Sequence, residues 1–343
     1  MLRALVFTML SLPSLCLASG KSGNTRFSNL NNIESKSNID NSSALIDPIA
    51  RYSDMRLNLP TGAAAEFPVL QSSLDQRPDC GETSYKGAGR LRGVNALITG
   101  GDSGIGRAIV IAYLREGANV AINYMEEEES DAQDLADFLA KEGLSFERIP
   151  GNLLNETFCT WLVNEAHRRL GGLDILVNHA GISGYTQGPN WRPIANESTE
   201  QFDQVFRTNV YAGFFLTRAA VPLLPRGGNV VFTASTVAIE PNAGALAYGA
   251  SKAAIVMMVR NLAQQLAGDG IRVNGVAPGF TYTPFLAAGG FTTESVKEIS
   301  EGTFFRRPAQ PAELAPLYVS VVDASSSYVS GEIYGNSGAT LGF

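Results

Sequence analysis

The chain has 343 residues, 45% of them hydrophobic, so its length and composition allow one large α/β domain with an appendage, or two smaller domains. The formal net charge of −7 provides no basic surface for nucleic acid, and this excludes nucleic-acid-binding proteins and favours an acidic globular protein.

The first eighteen residues have the layout of a secretory signal peptide. Arg3 supplies a positive charge, an apolar segment interrupted by Pro13 follows, and the small residue Ala18 offers a cleavage site, so we predict a signal over 1–18. The segment is too short for a stable membrane span. A single-pass anchor and an unused hydrophobic start remain alternatives. The predicted location is therefore the secretory pathway or the exterior, and the cytoplasm if the signal is not used.

Two segments without regular periodicity follow. Residues 19–50 are rich in Ser and Asn and poor in large apolar residues, so they cannot offset the entropy of ordering, and we predict a disordered tail. Residues 51–90 contain prolines at Pro60, Pro68 and Pro78. We predict that this segment is an extended arm laid over the main domain.

Glycosylation sequons and cysteines give weak information about the compartment. Sequons occur at Asn41, Asn155 and Asn196, and they support a secreted glycoprotein only weakly, because the pattern is short. Removal of the signal would leave Cys80 and Cys159. They belong to no small disulfide framework, so two separate thiols are predicted.

From residue 91 onward, strand and helix patterns alternate. The predicted strands are 96–98, 120–124, 145–149, 175–177, 229–234, 272–276 and 333–334. The predicted helices are 107–115, 129–141, 158–170, 201–224 and 247–267. Repeated β-α units require right-handed crossovers and a parallel sheet covered on both faces. We therefore predict a single α/β catalytic domain over 91–343, a doubly wound Rossmann-type sheet of about seven strands.

A glycine-rich turn joins the first strand to the first helix. It contains Gly100, Gly101, Gly104 and Gly106. Glycine lets a backbone approach a ligand closely, and the following helix N-terminus attracts a phosphate. The turn lies where doubly wound sheets bind their ligands, and this favours a dinucleotide site. A simple tight connection is the alternative reading of such a turn taken alone.

Three residues in the second half of the chain form a candidate catalytic group. Tyr248 and Lys252 are four apart on a predicted helix and so project from one face. A nearby ammonium lowers the pKa of a tyrosine from about 10 toward neutrality, which suits an acid that protonates a carbonyl oxygen. Ser235 follows the fifth strand and would polarise the same oxygen. Each residue alone has an ordinary structural explanation. Their combination and order after a glycine turn are poorly explained by coincidence.

Several motifs resemble those of the short-chain dehydrogenase/reductase family. Residues 99–106 match its cofactor turn, residues 178–181 resemble its Asn-Asn-Ala-Gly motif with His179 in place of the second asparagine, and Asn209 matches a helix asparagine that binds a water linked to the lysine. Residues 278–283 resemble the segment that holds the nicotinamide carboxamide. Within the arm, residues 78–91 look like the branch of glucose and ribitol dehydrogenase homologues and general-stress oxidoreductases.

The resemblance implies a site and an assembly. Ser235, Tyr248, Lys252 and Asn209 are the implied catalytic residues. The implied cofactor contacts are Gly100, Asp102, Ser103, Ile105, Gly106, Asn123, Asn152, Asn178, Tyr248, Lys252, Thr281 and Thr283. A homotetramer built on the two long helices is also implied. No metal site is expected, because His167 and His179 are the only histidines and a structural role suits both.

The second strand ends in Asn123 and Tyr124, without the acidic residue that would select NAD. We therefore predict NADP, with NAD as an alternative. The glutamates at 126–129 argue mildly against a phosphate, although such a run also suits a solvated helix start. Arg107 would supply a compensating charge. Asn152 stands where the family often has an aspartate that contacts adenine, and its amide can both donate and accept.

The loops at 185–197 and 281–305 are expected to cover the substrate. Trp191, Phe285, Phe291 and Phe304 favour an apolar lid, and no carboxylate-binding arginine stands out. We expect an NAD(P)-dependent oxidoreductase acting on a small ketone or secondary alcohol. A nucleotide-sensing protein without catalysis, and a lyase or epimerase on the same scaffold, are the alternatives.

Overall fold

The computed structural model describes residues 45–60, 67–184 and 194–339. Asp47–Phe343 form one compact unit. The predicted signal and nearly all of the Ser- and Asn-rich segment, with the sequon at Asn41, lie outside the described residues. Within the described residues, none of the helices has the length and apolarity needed to cross a membrane.

A seven-stranded sheet forms the centre of the molecule, and every neighbouring pair of strands is parallel. Its strands are β1 Asn95–Thr99, β2 Asn119–Asn123, β3 Glu147–Arg148, β4 Ile175–Asn178, β5 Asn229–Thr233, β6 Arg272–Pro278 and β7 Ile333–Asn336. The order β3-β2-β1-β4-β5-β6-β7 reverses direction between β1 and β4. The predicted doubly wound sheet is therefore confirmed, and the reversal opens a crevice at the carboxyl ends of these two strands.

Helices cover both faces of the sheet. They are α1 Gly104–Arg115, α2 Glu129–Ala140, α3 Glu156–Leu170, α4 Thr199–Phe206, α5 Ala212–Ala220, α6 Leu246–Leu266, α7 Pro284–Ala288, α8 Thr293–Gly302 and α9 Pro311–Val322. The predicted continuous helix 201–224 is instead α4 and α5 joined by a π-helical turn, Arg207–Tyr211. Neither glycine nor proline marks this turn in the sequence, so the helical pattern runs through it unbroken.

Successive strand residues divide between two cores. In β1, Ala96 and Ile98 pack in one cluster with side chains of α1, α2 and α9, whereas Leu97 packs in the other with those of α3, α5 and α6. Because side chains alternate across a strand, a short run of apolar residues buries both faces. Cys80 and Cys159 are buried free thiols, one in each core, as predicted.

The arm and the α7–α8 segment share a third, smaller core. Leu59, Val69 and Leu74 of the arm are buried in one cluster with Leu286 of α7 and Val296 of α8. Buried hydrogen bonds accompany this packing: the Tyr282 hydroxyl donates to the carbonyl oxygens of Asn58 at 2.7 Å and Gln76 at 2.9 Å. The arm is thus fastened to the part of the chain that covers the crevice.

Candidate active site

A cavity of about 750 Å³ occupies the crevice at the carboxyl ends of the strands. It extends from the glycine turn after β1 to the start of α6. The sequence-predicted site residues that line it are Gly100, Asp102, Ser103, Ile105, Asn123, Asn152, Ser235, Tyr248, Lys252, Thr281 and Thr283. The fold therefore brings most of the predicted residues to one cleft.

The glycine turn presents a helix N-terminus to the cavity. Gly104 has a φ of +52°, in the left-handed region that glycine tolerates best. A Cβ on Gly106 would lie 1.7 Å from the carbonyl oxygen of Gly100, so no side chain fits there. The N–H groups of the first helical turn have no intrahelical acceptors and attract anions. This cradle fits the diphosphate of a dinucleotide.

Two acidic side chains mark the cavity next to β2. Asp102 is 1% exposed and its Oδ2 has no hydrogen-bond partner among the described residues. Burial, and next the nearby Glu128, raise the pKa of Asp102 well above its usual value. Burial also raises the pKa of Glu128. Both carboxyl groups line the cavity, so the side chains at this end are acidic in type.

Arg107 does not supply the compensating charge that the sequence suggested. Its guanidinium is 4% exposed and pairs with Glu82 of the arm at 2.9 Å and with Asp134 of α2 at 3.0 Å. Neither partner lines the cavity, and the side chain fastens the arm and also lies outside the cavity lining. Sequence position alone placed it near the turn without indicating its direction.

The two predicted asparagines at β2 and β4 differ in their surroundings. The Asn123 amide nitrogen donates to the carbonyl oxygens of Ile149 at 3.1 Å and Gly151 at 3.0 Å, so it ties β2 to the segment after β3. Asn178 lies outside the cavity lining, because its side chain points to α5 and donates to the Thr217 hydroxyl at 3.1 Å. The Asn178 side chain thus holds β4 to α5, and the predicted contact of this residue with the cofactor stays a prediction.

Asn152 and the acidic run after β2 keep closer to expectation. The Asn152 side chain lines the cavity and accepts a hydrogen bond from the Leu154 N–H at 2.9 Å. Glu126 and Glu127 are exposed at the start of the helical segment that leads into α2, as a solvated run should be. Glu128 is the member of the run that reaches the cavity.

Ser235, Tyr248 and Lys252 meet at the other end of the cavity. Ser235 follows β5 and its hydroxyl hydrogen-bonds to the Tyr248 hydroxyl. Lys252 lies one turn after Tyr248 on α6, with its Nζ 5.5 Å from the centre of the tyrosine ring, and donates to the carbonyl oxygen of Thr233 at 2.8 Å. The predicted common face is therefore present.

Burial overrides the expected effect of the lysine on the tyrosine. Desolvation raises the pKa of Tyr248 to about 12, although the hydrogen bond from Ser235 opposes this. Desolvation also lowers the pKa of Lys252 to about 7. A lysine that is partly neutral near pH 7 stabilises a phenolate less than the sequence-based argument assumed. The expected pKa lowering is absent in this cleft.

Asn209 lies in the π-helical turn between α4 and α5, behind the catalytic group. Its Oδ1 accepts from the Ile182 N–H at 2.8 Å, and its amide nitrogen donates to the Ile182 carbonyl at 2.9 Å and to the Ser251 hydroxyl at 3.0 Å. Single π-helical turns often occur at functional sites. The side chain joins α6 to the segment after β4 and lies outside the cavity lining.

His179 lines the cavity and begins a polar chain that leads from it to Tyr318. Its Nδ1 lies 2.9 Å from the Thr233 hydroxyl, which in turn lies 2.7 Å from the Tyr318 hydroxyl. Burial, and then the charge of Lys252, lower the pKa of His179 to about 3, so the ring is neutral near pH 7. Within the described residues, no group of three or more His, Cys, Asp or Glu side chains is arranged to hold a metal ion.

Aromatic side chains cover the catalytic end. Phe285 lies with its ring 5.7 Å from the Tyr248 ring, and Phe291 also lines the cavity. Phe304 is 63% exposed and lies outside the lining, and Trp191 falls outside the described residues. The apolar cover is thus formed by two of the predicted aromatic residues.

One wall of the site could not be predicted from the sequence. Phe67, Pro68 and Val69 of the arm line the cavity, and Gln71 accepts a hydrogen bond from the Gly104 N–H at 2.8 Å. These residues belong to no motif and to no periodic pattern. The only indication in the sequence that the arm has a place in the site is the family resemblance of residues 78–91, which follow this segment.

Comparison with known sequences identifies relatives over most of the chain. Residues 100–339 match the family described as enoyl-(acyl carrier protein) reductase. The oxidoreductase YghA of Escherichia coli is 47% identical over 268 residues, which cover 78% of this chain and 90% of YghA. The chloroplastic NADPH-dependent aldehyde reductase 1 of Arabidopsis thaliana is 38% identical over 281 residues, covering 80% of this chain and 96% of the reductase.

A solved structure is similar in both fold and sequence. A short-chain dehydrogenase from Burkholderia cenocepacia, crystallised with NADP, superimposes with a TM-score of 0.65 at 31% identity. The superposition covers 73% of this chain and 98% of that protein. Its fold agrees with the sheet and cleft described above.

Proposed function

The chain belongs to the short-chain dehydrogenase/reductase family of NAD(P)-dependent oxidoreductases, and we propose that it uses NADP(H) to interconvert a small ketone and its secondary alcohol. The observation that carries this proposal is the convergence of Ser235, Tyr248 and Lys252 on a cleft whose other end is the glycine turn. The three side chains are the groups that carbonyl reduction requires: a proton donor, a cation beside it and a second hydroxyl.

The bound nicotinamide supplies or accepts the hydride. Tyr248 donates its hydroxyl proton to the carbonyl oxygen during reduction and removes it during oxidation. Ser235 donates a hydrogen bond to the same oxygen and polarises it. Lys252, in its ammonium form, stabilises the phenolate of Tyr248 and binds the nicotinamide ribose. Asn209 holds the adjoining backbone and orders a water molecule linked to the lysine.

The glycine turn would hold the diphosphate, and Asp102, Ser103 and Asn152 would contact the adenosine portion. Two observations support NADP(H) as the preferred cofactor. No acidic residue ends β2, and the Burkholderia structure and the Arabidopsis enzyme are described with NADP and NADPH. Asp102 opposes a 2′-phosphate only when ionised, and the raised pKa of its carboxyl group reduces that opposition. NAD remains the competing cofactor in the binding test.

The shape and charge of the cleft favour a neutral substrate with an apolar part. Phe285 and Phe291 cover the catalytic end. Lys252 is the only lysine or arginine among the described residues of the lining, and it lies at the catalytic group itself. The described part of the lining therefore offers no second cation to bind a substrate carboxylate.

The test is NADPH oxidation across a panel of neutral ketones and aldehydes, with matched keto acids as the comparison. Consumption of NADPH with the neutral compounds, and loss of turnover in Tyr248→Phe with retained NADPH binding, is the expected result. Retained turnover in Tyr248→Phe contradicts the assignment of the proton donor. Product formation without net cofactor consumption would indicate a lyase or epimerase.

For location, we propose entry into the secretory pathway, with cleavage after Ala18. The layout of the first eighteen residues and the sequons at Asn155 and Asn196 support this route. Asn155 is on the surface at the start of α3, where its side chain accepts from the Phe158 N–H at 3.1 Å. Mass spectrometry of the mature N-terminus and of glycan occupancy, performed on protein from a secreting host, tests the proposal. An intact Met1 with unmodified asparagines overturns it.

For assembly, we propose a homotetramer in which the two long helical segments meet their copies. Tyr211, Phe214 and Met257 lie on these segments and are 45%, 46% and 53% exposed. Apolar side chains of this size gain free energy when a second copy covers them. Light scattering at micromolar concentration should give four times the chain mass, and a monomeric mass would contradict the proposal.

A further inference from the structure

Gln71 of the arm is buried against the glycine turn. It is 2% exposed, and its Oε1 accepts a hydrogen bond from the Gly104 N–H at 2.8 Å. The thiol of Cys80 is 3.6 Å from the same oxygen. Gly104 is the first residue of α1, where N–H groups lack intrahelical acceptors. A neutral amide oxygen from a distant segment therefore caps one of the N–H groups at this helix end.

The backbone around Gln71 is fixed from the other side. The N–H groups of Gln71 and Ser72 both donate to the Asp131 carboxylate of α2, the second at 3.0 Å. Val69, two residues earlier, is buried in the core shared with α7 and α8. The segment from Phe67 to Ser73 thus connects α2, the glycine turn and the cover of the catalytic end.

The cover contacts the same glycine. A Cβ on Gly104 would lie 3.1 Å from the Thr283 methyl group, at the residue that precedes α7. Gly104 is therefore held between Gln71 and Thr283. With its N–H committed to Gln71, the N–H groups of Ile105 and Gly106 are the ones left for an anion at this helix end.

We propose that Gln71 is a positioning residue for the diphosphate of the cofactor. By capping the Gly104 N–H it sets the direction of the next two N–H groups, and through Val69 it keeps the turn in register with α7. This inference rests on the proposed function, because it concerns the same dinucleotide. It gives the arm a place in cofactor binding, beyond packing over the domain.

The experiment compares Gln71 with Gln310, a second buried glutamine that joins the arm to the body of the domain but does not contact the glycine turn. Gln71→Met keeps the length of the side chain and removes the acceptor. Gln310→Met is the matched control, because Gln310 is 0% exposed and its Oε1 accepts from the arm N–H of Asp79 at 2.9 Å, yet it lies outside the cavity lining. Gln71→Met loses the acceptor for the Gly104 N–H and the Cys80 thiol. Gln310→Met loses its contacts with the Asp79 N–H and the Met55 sulfur. Both variants should therefore unfold at a lower temperature.

Only Gln71→Met should lose cofactor affinity. Calorimetric titration well below the unfolding temperature should show a Kd for NADPH and for ADP raised about tenfold in Gln71→Met and unchanged within about twofold in Gln310→Met. Adenosine 2′-monophosphate, which has no diphosphate, should bind all three proteins alike. The kcat at saturating NADPH should stay near that of the wild type. A role confined to folding would lower the unfolding temperature and leave every Kd unchanged.

Gln71→Glu is the second variant, for the case in which Gln71→Met does not fold. The carboxylate keeps an acceptor for the Gly104 N–H but places a negative charge at the helix end that should receive the diphosphate, so the Kd for ADP should rise about tenfold or more. Unchanged affinity for NADPH and ADP in the folded variants overturns the inference alone. Failure of the wild type to bind NADPH overturns the proposed function and this inference with it.

Discussion

The two ends of the cleft differ in charge and in the way that burial acts on it. At the catalytic end, a lysine is buried with a tyrosine and loses much of its positive charge, because desolvation lowers the pKa of Lys252 to about 7. At the end next to β2, a carboxyl group is buried beside a second carboxyl group, and desolvation, followed by the nearby Glu128, raises the pKa of Asp102 well above its usual value.

This contrast bears on how the cleft would accept an anionic cofactor. Each end holds an ionisable group whose charged form is costly because it is desolvated. An anionic ligand nearby would reduce that cost for the Lys252 ammonium and increase it for the Asp102 carboxylate, so the raised pKa of Asp102 favours binding of the anion. The contact between the arm and the glycine turn carries no titrating group, since Gln71 and Gly104 meet through an amide oxygen and a backbone N–H. This contact therefore positions the backbone of the turn, whereas Lys252 and Asp102 respond to charge.

The largest expected effect is at the catalytic end. Tyr248→Phe removes the hydroxyl that donates the proton but keeps the ring against Phe285, so kcat should fall about 10³-fold. The Kd for NADPH, measured by fluorescence titration, should change less than about twofold because the ring remains in place. A Tyr248→Phe variant that keeps a tenth of the wild-type kcat would contradict the assignment of Tyr248 as the proton donor at this end of the cleft.

The second effect concerns the free energy of unfolding and isolates the contribution of the buried Lys252. The pKa of Lys252 is about 7 in the folded protein, whereas an ordinary lysine, as in the unfolded chain, has a pKa of 10.5. The unfolded chain therefore binds more protons than the folded protein between these two pH values. Stability without ligand should therefore rise as the pH increases from 7 to 10, by roughly 3 kcal/mol from this group. Urea unfolding of Lys252→Met should lack this rise.

Lys86→Met is the control for that experiment, because Lys86 is exposed. The difference between wild type and Lys252→Met cancels the contributions of the other titrating groups, which both proteins share. A wild type whose stability follows that of Lys252→Met across this range would show that the lysine is not desolvated.

The third effect is at the glycine turn. Gly106→Ala places a Cβ 1.7 Å from the Gly100 carbonyl oxygen, so the turn must open, and the Kd for NADPH should rise about 100-fold, equivalent to about 3 kcal/mol. Gly268→Ala is the matched control, because a Cβ there meets no atom within 4 Å. Equal affinity in the two variants would show that the turn does not hold the cofactor.

The smallest effect is at the acidic end. The pKa of Asp102 is raised by burial and its ionised fraction increases with pH, so wild-type affinity for NADPH should weaken relative to NADH from the lower to the upper limit of the pH range in which the protein is stable. Asp102→Asn removes that charge and should raise the preference for NADPH about tenfold at the upper pH. Parallel titrations with both cofactors measure the ratio. A ratio independent of pH in both proteins would place Asp102 away from the 2′ position.

The sheet and the catalytic group were accessible from the sequence for local reasons. Apolar runs such as 96–98 identify strands buried on both faces, and a spacing of four on a helix turns Tyr248 and Lys252 to one side whatever the rest of the fold. The end of β5 then brings Ser235 to them. Each of these steps depends on residues close in sequence, and the parallel topology supplies the rest.

The remaining features depend on contacts between distant segments. The hydrogen bond from Gly104 to Gln71 spans 33 positions, and the arm has no periodic pattern to predict it. Arg107 points to Glu82 and Asp134 because of where the arm crosses α1. The raised pKa of Tyr248 reflects desolvation of its hydroxyl in the cleft, which spacing on a helix does not report. The π-helical turn at Arg207–Tyr211 has no sequence signal at all.

The most direct test of hydride transfer at this cleft uses NADPH labelled with deuterium at C4 on the transferred face, together with a ketone that the wild type reduces. Mass spectrometry of the alcohol should find one deuterium on the carbinol carbon with the wild type, and no alcohol above background with Tyr248→Phe. An unlabelled alcohol formed from C4 preparations labelled on either face, or a labelled alcohol formed equally fast by Tyr248→Phe, would contradict the central claim.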